Sequence, residues 1–179
     1  MSGTKRVYNL EEKNYFKFFG IEEKQDISVR SLTTHYKKIV TLLKQDNKFL
    51  SKDKVAFAHR AFETLADPIS RAKYILELNG VENDVRDGAS AEDFLFINNL
   101  NAQYDASNTV DDILNFILEL KEQTSFIKEQ IQYCIDETHN FNMASGLLNR
   151  FYEISAIHDK TKLKKHELEL GIKHVVFDK

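Results

Sequence analysis

The sequence has one cysteine, Cys134, one proline, Pro68, and only six glycines. A lone thiol can close no internal disulfide and build no zinc cluster, so cysteine usage points to a reducing compartment. With so little turn material, an all-β sandwich and a Gly-rich phosphate-binding α/β fold both fall away. Long apolar runs are missing too: no stretch approaches the roughly 20 residues that a membrane span needs. The opening MSGTKRVYNLEEKN has no signal-peptide core, and Glu11 and Glu12 come too early for an acid-poor transit peptide. Neither sign of charge dominates. The 25 Lys and Arg against 28 Asp and Glu leave a net charge of −3, which excludes a basic nucleic-acid packer and an acidic disordered tail. A cytoplasmic all-α protein without nucleic-acid or membrane partners is expected, with a mitochondrial or mitochondrion-related matrix as the alternative.

What is present is 179 residues, 42% of them apolar, enough for one or two domains with real cores. Asn14 suits the N-cap of a short helix over Tyr15–Phe19, with Gly20 as its stop. Asp26 and Ser28 offer the next cap. Val29, Leu32, Tyr36, Ile39 and Leu43 then recur at helical spacing, with Arg30, Lys37, Lys38 and Lys44 off that stripe. Residues 44–48 break the period and read as a loop. Val55, Ala58, Phe62 and Leu65 mark a third helix ending before Pro68. Ile69, Ala72, Ile75, Leu76 and Leu78 mark a fourth, closed by Asn79-Gly80.

Residues 81–90 carry no stripe and read as a linker between a domain at 10–80 and another at 91–172. In the second, Ser90 with Asp93 resembles a capping box, and Asn108 and Thr109 cap the next helix. Val110, Ile113, Ile117, Leu120, Thr124, Ile127, Ile131 and Cys134 repeat as a long heptad. Met143, Leu147, Phe151, Ile154 and Ile157 lie on a last helix reaching Lys165. Long heptads joined by short Asn-rich turns predict an antiparallel three-helix bundle. The apolar tail HVVFDK takes no assignment.

Catalytic and metal spacings are not met. His166-Glu167 opens like a zinc-protease helix, but Leu170 stands where the second ligand belongs. Cys134 and His139 read as a buried thiol beside a surface imidazole. His35 and His59 sit on amphipathic helices. There is no G-x-S-x-G and no phosphate-cradling loop. Glu22-Glu23 and Asp111-Asp112 read as helix-end charge. A non-enzymatic binding protein without cofactor or metal is expected.

Three segments resemble a known family. Asn14-Tyr15-Phe16-Lys17-Phe18-Phe19-Gly20-Ile21 is similar to D-Y-F-x-x-F-G-L, and Tyr36-Lys37-Lys38-Ile39 to Y-K-x-L. The segment from Ala61 to Gly80, AFETLADPISRAKYILELNG, follows A-W-x-T-L-x-x-P-x-x-R-A-x-Y-L-L-x-L-x-G almost throughout. These are the marks of the J domain of HscB-type co-chaperones of iron–sulfur cluster assembly. The resemblance implies an L-shaped all-α protein, with a J-like domain followed by a helical domain. It also implies two partners, a DnaK-type heat-shock chaperone and an IscU-type scaffold protein, and a monomer or weak homo-oligomer.

One departure stands out. The His-Pro-Asp that J domains use to stimulate the chaperone ATPase is absent. Spacing from Tyr36 aligns it with Lys44-Gln45-Asp46; spacing back from Lys48-Phe49 aligns it with Gln45-Asp46-Asn47. Carried over residue by residue, the chaperone-binding set is Arg30, Lys37, Lys38, Lys44, Gln45, Asp46 and Asn47, against a plain solvated helix face. Phe94–Tyr104 resembles the family's scaffold-binding F-L-M-E-Q-L-E-L-R-E, and Arg150-Phe151-Tyr152 its R-F-L. The implied scaffold set is Phe96, Ile97, Leu100, Tyr104, Phe151 and Tyr152, with core packing as the competing role for these aromatics. Function divides accordingly: a co-chaperone that delivers a scaffold and regulates the chaperone's ATPase, or an adaptor that binds without stimulating it.

Overall fold

The computed structural model describes residues 12–45, 51–81 and 91–171. Among them are seven α-helices and no strand: α1 Tyr15–Phe19, α2 Val29–Gln45, α3 Ser51–Ala66, α4 Pro68–Leu78, α5 Ala91–Ala106, α6 Val110–Asp136 and α7 Phe141–Glu169. The all-α expectation holds. The helices form two compact units. One holds the described residues up to 81 together with Gln132–Phe141; the other holds 91–131 and 142–171. The boundary expected at 81–90 is therefore joined by a second, near the end of α6, that no linker composition marks. Residues 82–90, including the Ser90 cap, and the tail from 172 lie outside the described residues.

In the first unit, turn chemistry sets the helix ends. The Asn14 side chain accepts the amides of Phe16 and Lys17, and Gly20 closes α1 in the left-handed conformation at φ 61°. Asp67 accepts the Ser70 amide 2.7 Å away, and Pro68 occupies the first turn of α4, where a missing N–H costs nothing. α1 drives Phe16, Phe18 and Phe19, all fully buried, into a core with Leu32, Ile39, Leu65 and Leu76. Tyr15 stacks on Tyr74 at 4.3 Å between centroids, and the Tyr74 hydroxyl accepts the Tyr15 amide. Burial raises the pKa of that hydroxyl.

The α2 stripe differs from expectation in two places. Val29 is exposed, whereas His35 is buried in line with Leu32, Ile39 and Leu43. Ser28 caps the helix through the Ser31 amide, while the Asp26 amide donates elsewhere, to Asp136. Lys44 and Gln45 are also not loop residues: they form the last turn of α2. On α4, Leu78 is exposed rather than core. A polar knot completes this unit. Both oxygens of Asp136 accept loop amides, Gln25 at 2.6 Å and Asp26 at 2.8 Å, and the Gln25 side-chain amide donates to the Pro68 carbonyl. Buried Arg71 donates to the Leu65 carbonyl; burial lowers its pKa against the opposing pull of Asp67, Asp136 and Asp26.

In the second unit, Thr109 and Asp112 cap α6 reciprocally: Thr109 Oγ1 accepts the Asp112 amide, and Asp112 accepts the Thr109 amide. The buried line of α6 is Ile113, Phe116, Leu120, Ile127 and Ile131, with Ile117 and Thr124 only half-buried. α7 buries Ala144, Leu148, Ile154, Ile157 and Thr161, while Met143 is exposed and Leu147 and Phe151 are intermediate. The expected stripes are thus each about one residue out of phase in places. Cys134, on the end of α6 that belongs to the first unit, is buried as expected, with its thiol pKa raised by burial against a hydrogen bond from Thr138.

Candidate functional site

The first candidate surface lies on α2. Its buried line turns inward, so the intervening positions face solvent by the helical period. Arg30, Lys37, Lys38 and Lys44 are all exposed. Leu42, half exposed, lies with Lys37, Lys38, Thr41 and Gln45 around one shallow depression. None of the four cations takes part in an ion pair among the described residues. An unneutralised basic helix face with an apolar centre suits an acidic protein surface, through steering as well as contact. At its side, Tyr36 packs on Phe62 at 4.4 Å, and its hydroxyl lies 2.6 Å from His59 Nδ1, tying α2 to α3. Asp46 and Asn47 lie outside the described residues.

The second candidate surface lies on α5, and here the geometry corrects the sequence. Phe96, Ile97, Leu100 and Tyr104 share one face, as their spacing requires, but it is the inward one. Leu100 is core at 2% exposure, and the other three are half-buried. Two of them are also covered by α7. Arg150 lies over the Phe96 ring at 5.5 Å while its Nε donates to Asp93. Lys164 lies over the Tyr104 ring at 4.6 Å and donates to the Tyr104 carbonyl at 2.8 Å. Burial, then Glu167 and Asp105, raise the Tyr104 pKa. Phe151 is half-buried under Lys128, and Tyr152 is exposed beside it.

The residues α5 does expose are Phe94 and Leu95, at 65% and 62%. Their signal was available in the sequence: they are the apolar residues that break the Phe96–Leu100–Tyr104 spacing, and apolar residues off a core stripe are the exposed ones. Among the described residues no three His, Cys, Asp or Glu side chains gather as metal ligands, and no helix is long and apolar enough to cross a membrane.

No protein-family model matches the chain. The chain is 30% identical over a 77-residue alignment to a co-chaperone protein HscB homolog of Shewanella amazonensis, and 32% identical to that of Shewanella baltica. Each alignment takes in 38% of this chain and 44% of the relative, so the chain matches less than half the length of these proteins. In structure the likeness extends further. The chaperone HscB from Vibrio cholerae superposes with a TM-score of 0.69 at 16% identity, over 87% of this chain and 99% of its own. The human co-chaperone protein HscB gives 0.72 at 20% identity, over 92% of this chain and 84% of its own. Along most of its length in fold, and over a shorter alignment in sequence, the chain is HscB-like.

Proposed function

We propose that the chain is a non-enzymatic co-chaperone of the HscB type, joining a DnaK-type chaperone to an IscU-type scaffold in iron–sulfur cluster assembly. The observation that carries this reading is the exposed, unpaired basic face of α2 within an HscB-like fold. Arg30, Lys37, Lys38 and Lys44 meet the acidic surface of the chaperone, with Leu42 at the centre of the contact. On the second unit, Phe94 and Leu95 lead the scaffold contact, with Ile97 and Tyr152 contributing exposed edges. Phe96, Tyr104 and Phe151 support that surface from beneath, and Leu100 belongs to the core.

The Lys44-Gln45-Asp46 segment sharpens the proposal. A rigid proline and a ring able to donate and accept have no counterpart in a Lys-Gln pair. Association with the chaperone is therefore weak and salt-sensitive, and acceleration of its ATPase by this chain alone is small. The same feature favours a second reading, an adaptor that holds its partners without triggering hydrolysis. Steady-state ATPase rates of a purified DnaK-type chaperone, with and without this chain and the scaffold, separate the two. Co-chaperone action requires acceleration when the scaffold is present; an adaptor binds and leaves the rate unchanged. Charge reversal at Lys37 and Lys38 abolishes binding if the α2 face is the contact, and unaltered binding overturns the assignment. Replacing Lys44 by His and Gln45 by Pro, which also ends α2 one residue early, restores part of the stimulation in the register counted from Tyr36.

A further inference from the structure

α6 has a second apolar stripe, on the side facing away from its core. Leu114, Leu118 and Phe126 are 47%, 58% and 60% exposed. With Glu122 they fall at four-residue steps, each advancing roughly 40° around the helix, so the stripe winds gently over about 18 Å of axis. The buried line of Ile113, Phe116, Leu120 and Ile127 occupies the opposite side. Asp111, Glu122 and Glu129 project on the same outer side as the stripe; all three are exposed, and none joins an ion pair among the described residues. The nearest cations, Lys121 and Lys128, sit at one edge of this face, and Lys128 is turned toward the Phe151 ring.

Buried within one chain, α6 needs only its inner line. Three large apolar side chains left about half in water or more on one further face are a cost unless something covers them. The charge pattern selects the occupant. A second copy presenting the same face would set Asp111, Glu122 and Glu129 against their own kind, and an anionic membrane would be repelled in the same way. A basic segment gains on both counts, since its apolar residues cover the leucines and its cations meet unneutralised carboxylates. We infer that the outer face of α6, centred on Leu118 and Phe126, is a docking site for a basic amphipathic helix of another protein. This surface is separate from both surfaces of the proposed co-chaperone function and does not depend on that reading.

The test titrates the full chain against a labelled helical peptide of about 16 residues, with leucines at i, i+3, i+4 and i+7 and lysines elsewhere. A matched peptide carrying glutamate in place of lysine controls for charge. The lysine peptide binds, and Leu118→Ser or Phe126→Ser weakens it at least about tenfold. The double change Glu122→Gln with Glu129→Gln weakens it severalfold and flattens its salt dependence, whereas Leu95→Ser leaves it unchanged. All are surface changes, and circular dichroism melts should superpose on the parent's. Equal lysine-peptide binding by Leu118→Ser, Phe126→Ser and the parent overturns the proposal. So does binding of the glutamate peptide that Leu118→Ser abolishes. Sedimentation showing self-association that Leu118→Ser abolishes assigns the face to a second copy instead. Adsorption to phosphatidylserine vesicles that the same change removes assigns it to a membrane.

Discussion

The two units hold themselves together by different means. The first rests on particular residues: Asn14 caps α1, Asp67 caps α4, three phenylalanines fill the centre, and Arg71 and Gln25 each satisfy one named carbonyl. The second is periodic, with aliphatic lines running along two helices of 27 and 29 residues and cations laid across ring faces. In the first unit, residue identity carries the structure. In the second, what matters is which side of a helix a residue falls on, so many substitutions are tolerated and a phase error is costly. Exposed apolar side chains follow the same division: most of those that are half or more in water belong to α5, α6 and α7.

The largest effect is expected from a charge on the periodic line. Leu120 is fully buried, so Leu120→Asp strands a carboxylate at a cost of several kcal/mol, comparable to a domain's whole stability, and abolishes the second unit's melting transition. Ile117→Asp, one step off the line at a half-buried position, lowers that transition without removing it. Equal effects would show that phase does not govern this unit. The counterpart in the first unit is Phe16→Ala, expected to cost about 3–5 kcal/mol and to act on that unit's unfolding as followed by calorimetry.

Smaller effects refine the contrast. Removing the cap in Asn14→Ala costs about 1 kcal/mol and Thr109→Ala about the same. The α1 change, however, acts on a five-residue helix with no other turn to fall back on. Amide hydrogen exchange should therefore rise along all of α1 but only in the first turn of α6. The smallest effect is in pH. Burial, with Lys162 and Lys121 nearby, holds the His158 pKa below its ordinary 6.5. The folded chain thus binds this proton less readily than the unfolded chain. Its contribution to stability is complete above pH 6.5 and is lost as pH falls from there toward the lower folded value. Thermal melts of the second unit should decline across that interval, and less so in His158→Gln.

This difference also decides what the sequence makes legible. α1 from Tyr15 to Phe19, its cap, its glycine stop and the break at Pro68 were all readable, because each rests on one residue with one conformational role. Helix existence in the second unit was equally readable. Phase was not: Phe116 lies inside where Ile117 was expected, and Leu148 where Leu147 was, because 3.6 residues per turn let a three-four pattern drift over a long helix. The same rule bears on the exposure of the residues expected for a scaffold surface. Regular spacing identifies a face that packs, so choosing Phe96, Leu100 and Tyr104 by spacing chose the inner side of α5 and passed over Phe94 and Leu95. Charge was a better guide than spacing on α2, since Lys37 and Lys38 have no alternative but solvent.

Asp136 gives the first unit an order of events in time. The amides of Gln25 and Asp26 are satisfied by a carboxylate 111 and 110 residues further along the chain. During synthesis at about 5–20 residues per second, the helices up to α4 leave the ribosome long before that carboxylate exists. For roughly 3–12 s after α4 is made the growing chain carries a nearly finished domain with one loop unfastened. Whatever meets the nascent chain in that interval meets a looser first unit than the finished one, and the last turn of α6 acts as the clasp.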